Sequence, residues 1–166
     1  MLHAATRASS SSRIVALLLL LLVAAPAALL AAPSGGINPL VGTWSGAGRI
    51  TYTDGSNEGI NCSAYYTGGG SDLRMAIQCR SDKNPIHIRS RLRVDGARVT
   101  GTWEERTFNA SGSATGRLSS GRMTLKVSGS GFNGTMTVSF GGSSHSVTIT
   151  TSGIAMSKAT MRFNKR

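Results

Sequence analysis

INCSAYYTGGGSDLRMAIQC, residues 60–79, is two alternating runs around a glycine-rich centre. Ile60, Cys62, Ala64 and Tyr66 alternate with polar residues, and after TGGGSD so do Leu73, Met75, Ile77 and Cys79. A period of two marks half-buried strands, and Gly, Ser and Asp between them mark a chain reversal. A turn centred between Gly70 and Ser71 makes partner numbers sum to 141, so Cys62 faces Cys79, Ala64 faces Ile77 and Tyr66 faces Met75. That predicts a structural cross-strand disulfide; a redox role would call for CxxC spacing, which is absent.

The same pattern continues along the chain. After residue 40 the sequence is Gly, Ser and Thr interleaved with apolar residues, with no sustained helical period. Candidate strands cover 41–53, 59–67, 72–80, 86–94, 97–109, 113–118, 122–128, 132–140, 144–151 and 155–163, separated by turn signals such as DGSN, SDKNP and SGSG. Such even spacing predicts an all-β domain over 41–164, an antiparallel up-and-down β-barrel of roughly 8–10 strands, with a β-sandwich as the alternative.

The start of the chain reads differently. Arg7 and Arg13 flank a Ser-rich stretch, the apolar run IVALLLLLLV follows at 14–23, and small residues surround Ala27. This is the pattern of a signal peptide over 1–27, cut between 27 and 32, with 28–40 as a flexible linker. The competing reading is an uncleaved anchor over 14–32, against which stand Pro26 and the Ala-rich second half. Export to the periplasm or outside the cell is the expectation, and it suits a disulfide.

Beyond residue 27 the chain holds 16 of its 18 Lys and Arg and all seven Asp and Glu. In HIRSRLRVDGARV, residues 87–99, His87, Arg89, Arg91 and Arg93 occupy alternate positions before an Asp-Gly pair. Asp-Gly predicts a two-residue type I′ hairpin with partner numbers summing to 191, which places Arg98 opposite Arg93. Arg74 and Arg80 join this face if the preceding strand pairs alongside. The face is read as the solvated side of a sheet, or as an anion-binding surface for envelope lipids or polysaccharide, because arginine forks match phosphate and carboxylate. Nucleic acid is not an expected partner of an exported chain whose basic face lacks interleaved aromatics.

Alternation does not say which face is inside. An outer-membrane barrel would be apolar outside with aromatic girdles, yet this chain has nine aromatic residues, and 16 bases enclosed with seven acids would lack partners. The apolar face is therefore assigned to the interior. Trp44, Met75, Ile77, Trp103, Met123, Met136 and Phe140 are the candidate ligand-contacting residues. Flexible thioethers suit an adaptable pocket and equally fill gaps in a solid core.

Catalytic and metal-binding patterns are missing. His87 and His145 are the histidines beyond the leader, the Asp residues occupy turns, Glu104 and Glu105 alternate faces, and Glu58 stands alone after a turn. GSGFNG at 129–134 matches GxGxxG but opens no helix. The expectation is a non-enzymatic protein without cofactor or metal.

At NPLVGTWSGAGR, residues 38–49, the chain resembles the first strand of lipocalin-like and avidin-like barrels, through Gly42 and Trp44. That resemblance implies an up-and-down barrel holding a small, often apolar ligand. It also implies a tryptophan plugging the closed end under a late-strand arginine, for which Arg162 is the candidate. No later lipocalin signature follows, and GTW recurs at 101–103. The readings are an exported barrel for a small apolar molecule, a module binding anionic envelope components, or a structural envelope protein.

Overall fold

The computed structural model describes residues 36–83 and 85–166; the predicted signal peptide and the linker up to residue 35 lie outside the described residues. A 3-10 turn, Asn38–Leu40, precedes ten strands: β1 (Gly42–Tyr52), β2 (Asn57–Gly69), β3 (Asp72–Arg80), β4 (Ile86–Asp95), β5 (Arg98–Glu105), β6 (Ala110–Ser119), β7 (Arg122–Gly129), β8 (Phe132–Gly141), β9 (Ser144–Ser152) and β10 (Met156–Lys165). Each pairs antiparallel with the next, and β10 pairs with β1, closing an up-and-down barrel. The sandwich alternative is thereby set aside.

Period two decides burial throughout. In β2 the pattern alternates strictly, with Glu58, Ile60, Cys62, Ala64 and Tyr66 buried and the residues between them exposed. The apolar face lies inside, as expected of a sheet whose polar face meets water. Close inner packing uses glycine: a Cβ on Gly46 or Gly116 would lie 2.1 Å from the Arg162 carbonyl oxygen or 1.9 Å from that of Thr124. Inward glycines of this kind let strands coil tightly enough to close.

The turn chemistry confirms one expected register and corrects another. Between β2 and β3, Cys62 pairs with Cys79 and Tyr66 with Met75, and the disulfide is formed. Between β4 and β5 the partners sum to 193 rather than 191: Asp95 pairs with Arg98, Val94 with Val99 and Arg93 with Thr100. Gly96 has φ +55° and Ala97 is not among the positive-φ residues, so the loop is Gly96-Ala97 with the pattern of a type II′ turn. Asp95 therefore stays in the ladder opposite Arg98, and the expected Arg93–Arg98 opposition does not occur. The shift of two keeps every side chain on its expected face.

Strand β5 also stops at Glu105 rather than 109. The Glu105 carboxylate accepts the backbone N–H groups of Phe108 and of His87, each at 2.7 Å, which turns the chain early. The last residues of the expected linker belong to the barrel, where Ile37 and Leu40 are fully buried.

The disulfide joins residues 17 apart, a short loop for which the chain-entropy model gives about 3 kcal/mol. Cys62→Ser with Cys79→Ser should keep the barrel but lower unfolding free energy by up to that amount, measured by urea denaturation with far-UV circular dichroism.

Candidate functional site

The barrel has two unlike ends. At the end where the 3-10 turn enters, large side chains fill the interior: Ile37, Leu40, Trp44, Tyr66 and Phe163 are fully or almost fully buried. The Trp44 indole N–H donates to the Leu40 carbonyl at 2.8 Å, tying the turn across the opening. His145 stacks on Phe163 with centroids 4.6 Å apart, meets Trp44 edge-on at 4.5 Å, and shares a 3.1 Å hydrogen bond with the Tyr66 hydroxyl. Burial lowers the His145 pKa from an ordinary 6.5 to about 4 and raises that of Tyr66, so both are neutral at pH 7.

The cation over Trp44 is Lys165, whose Nζ lies 5.4 Å from the ring centroid. The expected Arg162 is exposed and pairs with Ala47 on the outer face, whereas Lys165 pairs directly with Trp44. Position in the ladder selects the lysine.

Toward the other end the interior opens into a cavity of about 640 Å³. Small inward side chains such as Ala110, Ala114 and Ala159 create the space, and Met75, Ile77, Trp103, Phe132, Met136, Met156 and Met161 are among its walls. Pockets of roughly 300–1,000 Å³ with apolar walls and few polar groups are the usual form of a small-molecule site. Four expected ligand contacts, Met75, Ile77, Trp103 and Met136, line this cavity. Trp44, Met123 and Phe140 do not: they face inward but lie near the closed ends of β1, β7 and β8. Alternation gives the face of a residue, and only its height along the barrel decides whether it reaches the cavity. The two GTW tryptophans differ in the same way, Trp44 plugging the closed end and Trp103 lining the cavity, where its buried indole N–H has no partner among the described residues.

A polar cluster at the mouth was not foreseen. Glu58 is buried at the mouth end of β2, on its inward face, where its carboxylate accepts the Tyr52 hydroxyl at 2.5 Å and the Lys83 backbone N–H at 2.9 Å. Hydrogen bonds from Tyr52 and then Ser81 hold Glu58 down to about 2, and the Glu58 bond pushes Tyr52 up to about 12. The Lys83 ammonium sits 4.3 Å above the Tyr52 ring. The available signal was parity, because Glu58 shares the face of Ile60 and Cys62. Phe108 and Ile154, 62% and 37% exposed, rim the same opening.

Arg74, Arg80, His87, Arg89, Arg91, Arg93 and Arg98 are all exposed on the outer wall of β3–β5. Arg74 pairs with Arg91, Arg89 with Glu104, and Arg98 also with Arg117 of β6. Arg93 and Asp72 make an exposed 3.9 Å ion pair. Among the described residues no group of three His, Cys, Asp or Glu could hold a metal.

No protein-family model and no curated protein matches the sequence. Solved structures do match in fold. Rv2717c from M. tuberculosis is 13% identical, with a TM-score of 0.63 over 78% of this chain and 94% of its own. The S-type phycobiliprotein lyase CPES from Guillardia theta is 12% identical, with a TM-score of 0.59 over 78% of this chain and 90% of its own. At such identities the likeness is one of fold, and it supports the expected barrel without testing the GTW motif. It also corrects the expectation of a non-enzymatic protein. A lyase is an enzyme, and it shares this barrel, so missing triad and metal patterns are no ground for excluding catalysis here.

His145 and Glu58 make the barrel acid-sensitive. The unfolded chain protonates histidine near 6.5 and the folded one only near 4, so stability falls as pH drops through that window. Glu58, held near 2 against an ordinary 4.5, adds its loss at lower pH. The melting temperature should decline from pH 7 to 4, and His145→Gln should flatten that decline while leaving a fall below about 4.5, as read by calorimetry across pH.

Proposed function

We propose that this chain is an exported barrel that takes one small apolar molecule into its interior through the open end. The observation that carries the reading is the cavity of about 640 Å³, with its methionine, isoleucine and aromatic walls. An apolar space of this size gains little from water, which needs polar partners, whereas apolar surface entering it leaves water. The lyase fold neighbour keeps two roles within the reading, holding the molecule and acting on it. Export rests on the leader-like run at 14–23 and on a disulfide that persists in an oxidising compartment.

The neutral fluorophore N-phenyl-1-naphthylamine should bind one per barrel with energy transfer from Trp103. Ala114→Phe, which fills the cavity from β6, should weaken it at least tenfold, about 1.4 kcal/mol, with the melting temperature maintained. Fluorescence titration that finds equal affinity in this variant would remove the cavity from consideration.

A second reading rests on the β3–β5 wall, where Arg74 and Arg91 are directly opposed across the ladder. Like charges so placed cost a few tenths to about 1 kcal/mol, which an anionic component of the cell envelope would relieve. Binding to isolated envelope fractions should then fall with salt, and fall further in Arg91→Glu at unchanged circular dichroism.

A further inference from the structure

A second hollow, about 350 Å³, lies near the closed end, away from both the cavity and the β3–β5 wall, and Arg122, Ser139, Ser146 and Arg162 line it. The ladder accounts for the grouping. Arg122 pairs with Ser139, Ser139 with Ser146, and Ser146 with Arg162, so the four positions form one row across β7, β8, β9 and β10. Adjacent strands lie about 4.8 Å apart, which sets the two arginine backbones about 14 Å apart or less on a curved wall. The two arginines therefore border the hollow from opposite sides of the two serines. Both arginines are exposed and both serines half-buried. His145 borders the hollow but is neutral, its pKa lowered to about 4, and adds no charge at pH 7.

What these arginines lack is a carboxylate. Residues 106–166 contain eight Lys and Arg and no Asp or Glu, so β6–β10 offer no acid for them to pair with. The acids nearest this end, Asp72 and Asp95, belong to β3 and β4, where Asp72 meets Arg93 and Asp95 pairs with Arg98. Two planar forks and several hydroxyl donors facing a shared space without a counter-charge match a group with several terminal oxygens and up to two negative charges.

We propose that this hollow binds a phosphate group, with Arg122 and Arg162 as the two forks and the Ser139 and Ser146 hydroxyls donating between them. The phosphate is that of a soluble phosphate or phosphomonoester, or that of a lipid headgroup; the chemistry is shared. The proposal is independent of the cavity ligand and of the Arg91 wall.

The test titrates inorganic phosphate into the ¹⁵N-labelled chain at low salt, and in parallel sediments it with vesicles of phosphatidylglycerol or phosphatidylcholine. Saturable shifts centred on Ser139, Ser146 and Gly121, weakened at least tenfold by Arg122→Ala and by Arg162→Lys but not by Arg91→Glu, are expected. Arg162→Lys keeps the charge and loses the fork, and Ser146→Ala is the mildest of the set, which guards against a misfolded variant. Co-sedimentation with phosphatidylglycerol alone and with the same variant pattern assigns a lipid headgroup; phosphate shifts without vesicle binding assign a soluble phosphate. Absence of both, or equal weakening by Arg91→Glu, overturns the proposal, the latter showing diffuse charge instead of a site.

Discussion

The pairing of β1 with β10 is the constraint on which the rest depends. It joins the two ends of the sheet over Trp44–Tyr52 and Met156–Lys165, so no strand edge remains in the ring. Once the sheet is closed, alternate residues have one interior to share, and what they do depends on how much volume they bring. An eight-stranded ring is about wide enough for side chains to fill, and ten strands enclose more. The interior must then be filled by unusually large residues or left partly open.

This chain does both, at opposite ends. The closed end brings tryptophan, tyrosine, histidine and phenylalanine together under the 3-10 turn, with their polar atoms largely paired inside the cluster. The open end brings alanine and mid-sized aliphatic residues, and the ladder hydrogen bonds prevent the wall from collapsing onto the space they leave. Tyr52, Glu58 and Lys83 interlock across β1, β2 and the β3–β4 loop, which steadies that rim. A rigid wall, a plugged floor and an apolar hollow follow from one distribution of side-chain volume along the barrel axis.

Charge is distributed as unevenly as volume. Acids stop at Glu105, while bases continue to Arg166. The first five strands can therefore set Asp95 against Arg98 and Asp72 against Arg93, and the last five cannot. On the outer wall of β7–β10 that imbalance meets a row of serines, and a solvated basic surface acquires a defined hollow.

Much of this was readable from residue order alone. Period two marked all ten strands and separated their two faces, and the few aromatics together with too few acids to pair enclosed bases put the apolar face inside. The TGGGSD turn was symmetric enough to place Cys62 opposite Cys79. The Asp-Gly pair was not, since a two-residue loop can centre on Asp95-Gly96 or on Gly96-Ala97, and the ladder contacts of Asp95 decided for the second. Height was illegible for a related reason: alternation repeats identically along a strand, so it could not separate Met123 at the plug from Met136 at the cavity. Nor could it bring together Tyr52, Glu58 and Lys83, or Arg122 and Arg162, whose association depends on ring closure and on register summed across several strands. Local pattern determined the strands, their faces and the pairing across one symmetric turn; the closed ring alone decided which residues meet across several strands.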